Sequence, residues 1–234
     1  MSTTDTSRPT LLLVHGAWHG TWCWERLEPV LAADGWMTRT VALPSAVRSD
    51  TPPAAGIDQD TRAVLDALEG IEGPAVVVAH SYGGIPVTQA IADASNVSHC
   101  VYLAAYQLDV GESLFGFHGA PEHQDPQGVI PPLKNSDTEL YADVSEEETA
   151  RAVLRLVPQT ARSFTDRVKK AGWRTVPSSY IICEQDQALP LRDQERLAGR
   201  AGAVHRLDSG HSPFLSMPAE LAALLAKIAL EEAG

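Results

Sequence analysis

Short apolar runs punctuate the chain and mark six candidate strands: residues 11–15 (LLLVH), 37–42 (MTRTVA), 75–79 (AVVVA), 100–104 (CVYLA), 179–183 (SYIIC) and 203–207 (AVHRL). Most are separated by stretches of helical period. A continuous apolar run of strand length suits a strand buried on both faces, and strands joined through helices pair in parallel. The pattern therefore predicts an α/β fold with a mainly parallel six-stranded sheet and helices on both faces. Trp24, Leu27, Val30 and Leu31 share one helical face, as do Val64, Leu65 and Leu68. Leu221, Leu224, Leu225 and Ile228 follow an i, i+3, i+4, i+7 stripe. These stripes read as core. At 234 residues, folding as one domain should bury roughly 70% of the chain's surface.

The alternation stops after Tyr106 and resumes near Trp173. The gap opens with "GESLFGFHGAPEHQDPQGVIPP", which is rich in Gly, Pro and His and has no clear period. Then comes "SEEETARAVLRLV", where Ser145 and Glu148 have capping-box spacing and Ala150, Val153, Leu154 and Val157 form an apolar face. Residues 107–170 are expected to be a partly helical cap inserted into a core made of 11–106 and 171–234. Residues 1–10 read as a loose leader without a secretory signal.

The formal charge is −12, from acids spread along the chain, with no Lys/Arg stripe. That argues against nucleic acid as a partner. No apolar run reaches the ~20 residues that span a bilayer, so the expectation is a soluble, cytoplasmic protein without membrane association. Cys23, Cys100 and Cys183 lie far apart in apolar segments, odd in number, and read as reduced core residues. No GxGxxG, phosphate loop or ligand-spaced His/Asp/Glu cluster occurs, so neither cofactor nor metal is expected. The oligomeric state stays open, a homodimer included.

"VVVAHSYGG" (76–84) places Ser81 where a buried strand breaks into small residues ahead of the helical "IPVTQAIADA". A serine hydroxyl is a weak nucleophile. It needs a base, a group that orients the base, and amide donors for the developing oxyanion. At a strand-to-helix elbow the residues two positions either side of the serine must be small; here they are Ala79 and Gly83. The base should follow the last strand, where His211 stands in "LDSGHSPF" behind Gly210. His15, His19 and His80 flank turns and read as structural, and His99 and His205 lie at strand edges. His118 and His123 are expected at the cap surface, with contact to substrate as the alternative. The orienting acid should lie between serine and histidine. Asp186 in "YIICEQDQALP" meets this, with Glu184 as runner-up and Asp109 more remote; Asp208 is too close to His211 along the turn. Oxyanion donors would be the amide of Tyr82 and, from "HGAWHG", that of Ala17, with Trp18 second.

"HGAWHGTWCW", "AHSYGG", "VYLAA", "ICEQDQALP" and "GHSPF" together resemble the α/β-hydrolase superfamily from Leu11 to Leu230. The resemblance points to the branch of plant methylesterases, hydroxynitrile lyases and small bacterial esterases. It implies a triad of Ser81, Asp186 and His211, oxyanion amides at Ala17 and Tyr82, and a cap over 107–170. It also implies that the six strands are the third to eighth of the superfamily sheet, ordered 4-3-5-6-7-8, without the leading hairpin. Hydroxynitrile lyases of the rubber-tree type carry a lysine after the catalytic histidine and a threonine after the first histidine of the oxyanion loop. This chain has Ser212 and Gly16 there, which favours an esterase. Ala79 departs from the usual glycine.

The expected reaction is hydrolysis of a small or medium apolar carboxylic ester through an acyl-enzyme. Trp18, Tyr82, Phe115, Phe117, Leu154, Leu156 and Phe214 are the candidate pocket residues. The alternatives are lyase, acyl-transfer or cyclisation chemistry on the same residues, and a catalytically silent binding module.

Overall fold

A computed structural model describes residues 8–48, 54–120 and 128–231. Six strands form one sheet: β1 (Thr10–Val14), β2 (Thr38–Val41), β3 (Ala75–His80), β4 (Val97–Leu103), β7 (Ser178–Cys183) and β8 (Ala203–Leu207). Two short strands, β5 (Val129–Ile130) and β6 (Gln159–Thr160), pair antiparallel outside it. The main sheet runs β2-β1-β3-β4-β7-β8 and every pairing in it is parallel. This is the strand order implied by the resemblance.

Burial follows position in the sheet. All residues of β3 and β7 are buried, whereas β8 alternates between half-buried and exposed positions, as an edge strand does. Because side chains alternate across a strand, the sheet carries two cores. Leu12, Val14, Val77, Tyr102 and Tyr180 face the helices Ile57–Glu69 and Gly84–Ala90. Leu11, Leu13, Val76, Val101 and Ile181 face the helices Leu27–Ala33 and Pro218–Glu231. The predicted stripes meet these cores through Leu27, Leu31, Val64, Leu68, Leu221, Leu225 and Ile228, with Val30, Leu65 and Leu224 at the margins. The three cysteines are free and buried. Among the described residues, no helix is long and apolar enough to cross a membrane.

Strand boundaries differ from the sequence reading where polar groups are satisfied inside the sheet. β4 begins three residues before Cys100, at Val97, because the buried His99 ring bonds Ser179 Oγ on β7 at 2.8 Å. It ends before Ala104, whose φ of +41° turns the chain out of the strand. The leader reading of 1–10 falls mostly outside the described residues. Its end is not loose: Thr10 belongs to β1, and the Arg8 guanidinium donates to Asp34 O at 2.9 Å.

Between β4 and β7 the chain leaves the sheet and forms helices at Leu114–Phe117, Ser136–Glu139, Glu146–Val153 and Ala161–Thr165, together with the β5–β6 pair. The Ser145 hydroxyl caps Glu146–Val153 by accepting from Glu148 N. The apolar face predicted for this helix does not turn inward. Leu154 is 87% exposed, and Ala152 is the residue that packs into the core.

Candidate active site

β3 delivers Ser81 into a tight turn, Ser81–Gly83, from which the helix Gly84–Ala90 departs. Ser81 has φ +51°, a left-handed conformation that costs a non-glycine residue about 1–3 kcal/mol. The glycines around it are required by space. A Cβ on Gly83 would lie 2.5 Å from His15 O, and one on Gly16 would lie 2.9 Å from Ser81 Cβ. Ala79 sits inside β3, paired with Val14 and Tyr102, and its methyl packs in the core; an ordinary strand position accepts it.

His211 follows β8 and Asp186 follows β7. The His211 Nδ1–H donates to Asp186 Oδ2 at 2.7 Å, and both residues are buried. Asp186 Oδ1 accepts from Ala188 N at 2.7 Å and Leu189 N at 2.9 Å, while the Gln194 amide donates to Oδ2 at 3.2 Å. A carboxylate so loaded with donors is acceptor-only, so the Nδ1–H tautomer is the one that fits and Nε2 is left to act as a base. The other acids are engaged elsewhere. Glu184 pairs with Arg206, Asp109 with Arg174, and Asp208 accepts from the Gln185 amide. The histidine loop is held by Asp143, which accepts from Gly210 N at 2.8 Å, and by His80, whose Nε2–H donates to His211 O at 2.9 Å.

The loop after β1 is clamped through its carbonyls. His15 accepts from Leu43 N at Nε2 and donates from Nδ1 to Gly16 O, 2.8 Å away. His19 accepts the Tyr141 hydroxyl at Nε2 and donates from Nδ1 to Ala17 O, also at 2.8 Å. Burial lowers the pKa of His15 to about 4 and that of His19 to about 3, so both rings are neutral. A trans peptide sets C=O and N–H antiparallel. Fixing Gly16 O thus aims the Ala17 N–H the opposite way. The runner-up amide, Trp18 N, already donates to Gln159 Oε1 at 3.2 Å.

Ser81, Tyr82, His211 and Ala17 line one cavity of about 290 Å³. Among the described residues, no hydrogen bond joins Ser81 Oγ to the His211 ring; the shared cavity wall is what brings them together. Contacts of this kind are often long until substrate is bound. Of the candidate pocket residues, Trp18, Tyr82 and Phe115 line this cavity. Phe117, Leu154, Leu156 and Phe214 do not. Phe214 is fully buried against Trp24 and His80, and the Phe117 and Tyr106 rings pack perpendicular to each other. Leu154 and Leu156 belong to a separate, larger surface groove of about 1020 Å³ that contains none of Ser81, Asp186 or His211.

The sequence reading missed Tyr106, Ile130, Leu133, Leu140, Phe164 and Leu189. Phe164 stacks on Phe115 with ring centroids 5.8 Å apart. Its signal was hidden because the surrounding segment folds into pieces too short to show a period. His118 stands at the rim, exposed yet lining the cavity, with Nε2 2.8 Å from the Tyr106 hydroxyl. His123 lies outside the described residues. Among the described residues, no group of three or more His, Cys, Asp or Glu side chains could hold a metal ion.

Residues 11–224 match the profile of the alpha/beta hydrolase family. The chain is 28% identical to a probable hydrolase, R7, of Phoma sp., over 95% of this chain and 99% of that one. It is 27% identical to norfluorocurarine synthase 1 of Strychnos nux-vomica, over 93% and 94% of the two chains. The solved structure of the methylesterase MES16 from Arabidopsis superposes with a TM-score of 0.81 at 27% identity, covering 95% of this chain and 99% of that one.

Proposed function

The chain belongs to the alpha/beta hydrolase family and is an enzyme with esterase activity; from that premise we propose that it cleaves a small or medium apolar carboxylic ester with Ser81 as nucleophile. The observation that carries this reading is the Asp186–His211 hydrogen bond at 2.7 Å, behind a cavity whose wall also holds the strained Ser81. His211 Nε2 takes the serine proton as Oγ attacks the ester carbonyl, and Asp186 stabilises the imidazolium and fixes its tautomer. The Ala17 and Tyr82 amides receive the oxyanion; in comparable enzymes one such donor is worth about 3–4 kcal/mol. His211 then protonates the leaving alcohol, and water repeats the sequence on the acyl-enzyme. Aromatic and aliphatic walls favour an apolar acyl or alcohol group, and the Glu139 carboxylate in the wall disfavours an anionic one.

A panel of nitrophenyl esters assayed with the wild type and Ser81→Ala tests this reading. The expected result is a loss of at least 10³-fold in kcat for the alanine variant, in line with the removal of a triad nucleophile. Undiminished hydrolysis would reject it. The relative named as a synthase supports a second reading, non-hydrolytic chemistry on the same residues. Faster turnover on adding a competing alcohol, or cleavage of a cyanohydrin, would favour it. The residue after His211 is Ser212, which is buried and supplies no cation for a leaving cyanide.

A further inference from the structure

Asp60 lies in the first turn of the helix Ile57–Glu69, remote in sequence from every residue assigned above, and it is fully buried. Its carboxylate accepts from the Tyr82 hydroxyl at 2.6 Å (Oδ2), from the Ser45 hydroxyl (Oδ2), and from Ser45 N at 2.9 Å (Oδ1). Ser45 Oγ in turn accepts from the Gln159 amide nitrogen at 2.6 Å. The same side chain's Oε1 accepts from Trp18 N at 3.2 Å, and its nitrogen also donates to Ser163 Oγ at 3.3 Å. The donor and acceptor roles are mutually consistent along the whole path, running from Tyr82 through Asp60, Ser45 and Gln159 to Trp18.

The two ends of this path matter. Tyr82 follows the nucleophile, and Trp18 follows Ala17. These are the segments that carry the two amides assigned to the oxyanion. Trp18 is itself held at φ +63°, a conformation that a tryptophan keeps only when its surroundings fix it. We propose that Asp60 is a positioning residue for the oxyanion amides: the buried carboxylate through which the Ser81–Tyr82 elbow and the Ala17–Trp18 loop are held in register. A carboxylate suits the role because it accepts from every donor aimed at it, whereas an amide in its place would turn N–H groups toward Ser45 or Tyr82. Burial raises the Asp60 pKa to about 6 against the opposing hydrogen bonds from Ser45 and Tyr82, so the charged form depends on those bonds.

The inference rests on the serine-esterase reading and is tested beside it. Asp60→Asn and Tyr82→Phe are assayed for kcat and KM on a nitrophenyl ester. They are also assayed for affinity to a trifluoromethyl ketone, which forms a tetrahedral adduct, and to the matching planar methyl ketone. Asp60→Asn should lower kcat at least tenfold with KM within threefold. It should weaken the trifluoromethyl ketone in parallel while leaving the methyl ketone unchanged. Tyr82→Phe, which removes only the phenol end, should lower kcat several-fold, and the double variant should be no worse than Asp60→Asn alone. Should Asp60→Asn fail to fold, Tyr82→Phe carries the test by the same two ratios. If Ser81→Ala is inactive while both variants keep kcat and adduct affinity within twofold of wild type, the positioning role is overturned alone. Full activity in Ser81→Ala would overturn the nucleophile and this inference with it.

Discussion

At the scale of the residue, the site depends on which polar group occupies which neighbour. Ser81, His211 and Asp186, the candidate triad, stand out in the sequence because a strand-end serine, a downstream histidine and an intervening acid each occupy a position the proposed chemistry requires. Position in the sequence favours Asp186 over Glu184, but the physical reason for the preference is not legible there. Two residues apart on one loop, they are separated by the Ala188 and Leu189 amides that receive Asp186 and by the Arg206 guanidinium that draws Glu184 to the surface. Nor could spacing reveal that His15 and His19, read as structural, clamp the Gly16 and Ala17 carbonyls, one on either side of the Ala17 backbone. If Asp186 fixes the His211 tautomer, Asp186→Asn should lower kcat about 10⁴-fold with KM little changed. Glu184→Gln should leave both within twofold. Steady-state kinetics on the two variants separates them.

At the scale of the element, the central strands were legible because burial on both faces leaves little room for polar residues, and the helices because one apolar stripe meets one core. The segment between β4 and β7 was not. Its helices are short, its β5–β6 pair is two residues on each side, and its burial is decided by contacts distant in sequence. Leu154 and Phe164 show the difference. Leu154 lies on an apolar face of the sequence pattern, yet it is 87% exposed; no pattern marks Phe164, yet it is buried beneath the cavity against Trp18, Tyr82 and Phe115. Leu154→Ser should change stability by less than about 0.5 kcal/mol and leave kcat/KM intact. Phe164→Ala should cost about 3–5 kcal/mol and raise KM for aromatic esters. Urea unfolding and ester kinetics on the pair would reverse this assignment if the two effects were exchanged.

At the scale of the whole molecule, the site places several imidazoles in a dry interior. Desolvation lowers the pKa of His15 to about 4 and of His19 to about 3, and holds His80 well below its ordinary range. In the unfolded chain these rings bind protons near pH 6.5; in the folded chain they do so only at lower pH. Their contribution is therefore present above pH 6.5 and is lost as pH falls, at about 1.4 kcal/mol per pH unit for each ring. Asp60 acts in the opposite sense. Its folded pKa of about 6 lies above the ordinary aspartate value of 3.8, so stability rises as pH falls between them, offsetting about one ring. Urea unfolding at a series of pH values should show stability falling by about 3 kcal/mol per pH unit as pH drops from about 6 to about 4. A flat profile from pH 6.5 to 4.5 would mean that these rings are hydrated.

On the proposed mechanism, a hydroxyl at a strained elbow becomes a nucleophile because a buried imidazole takes its proton. Labelling with a fluorophosphonate, read by intact mass and peptide mapping, tests it most directly. One adduct per chain is expected, on the peptide bearing Ser81, formed at least a hundredfold more slowly in His211→Ala and abolishing ester hydrolysis as it accumulates. An adduct on another residue, or hydrolysis that persists after complete labelling of Ser81, would contradict the account.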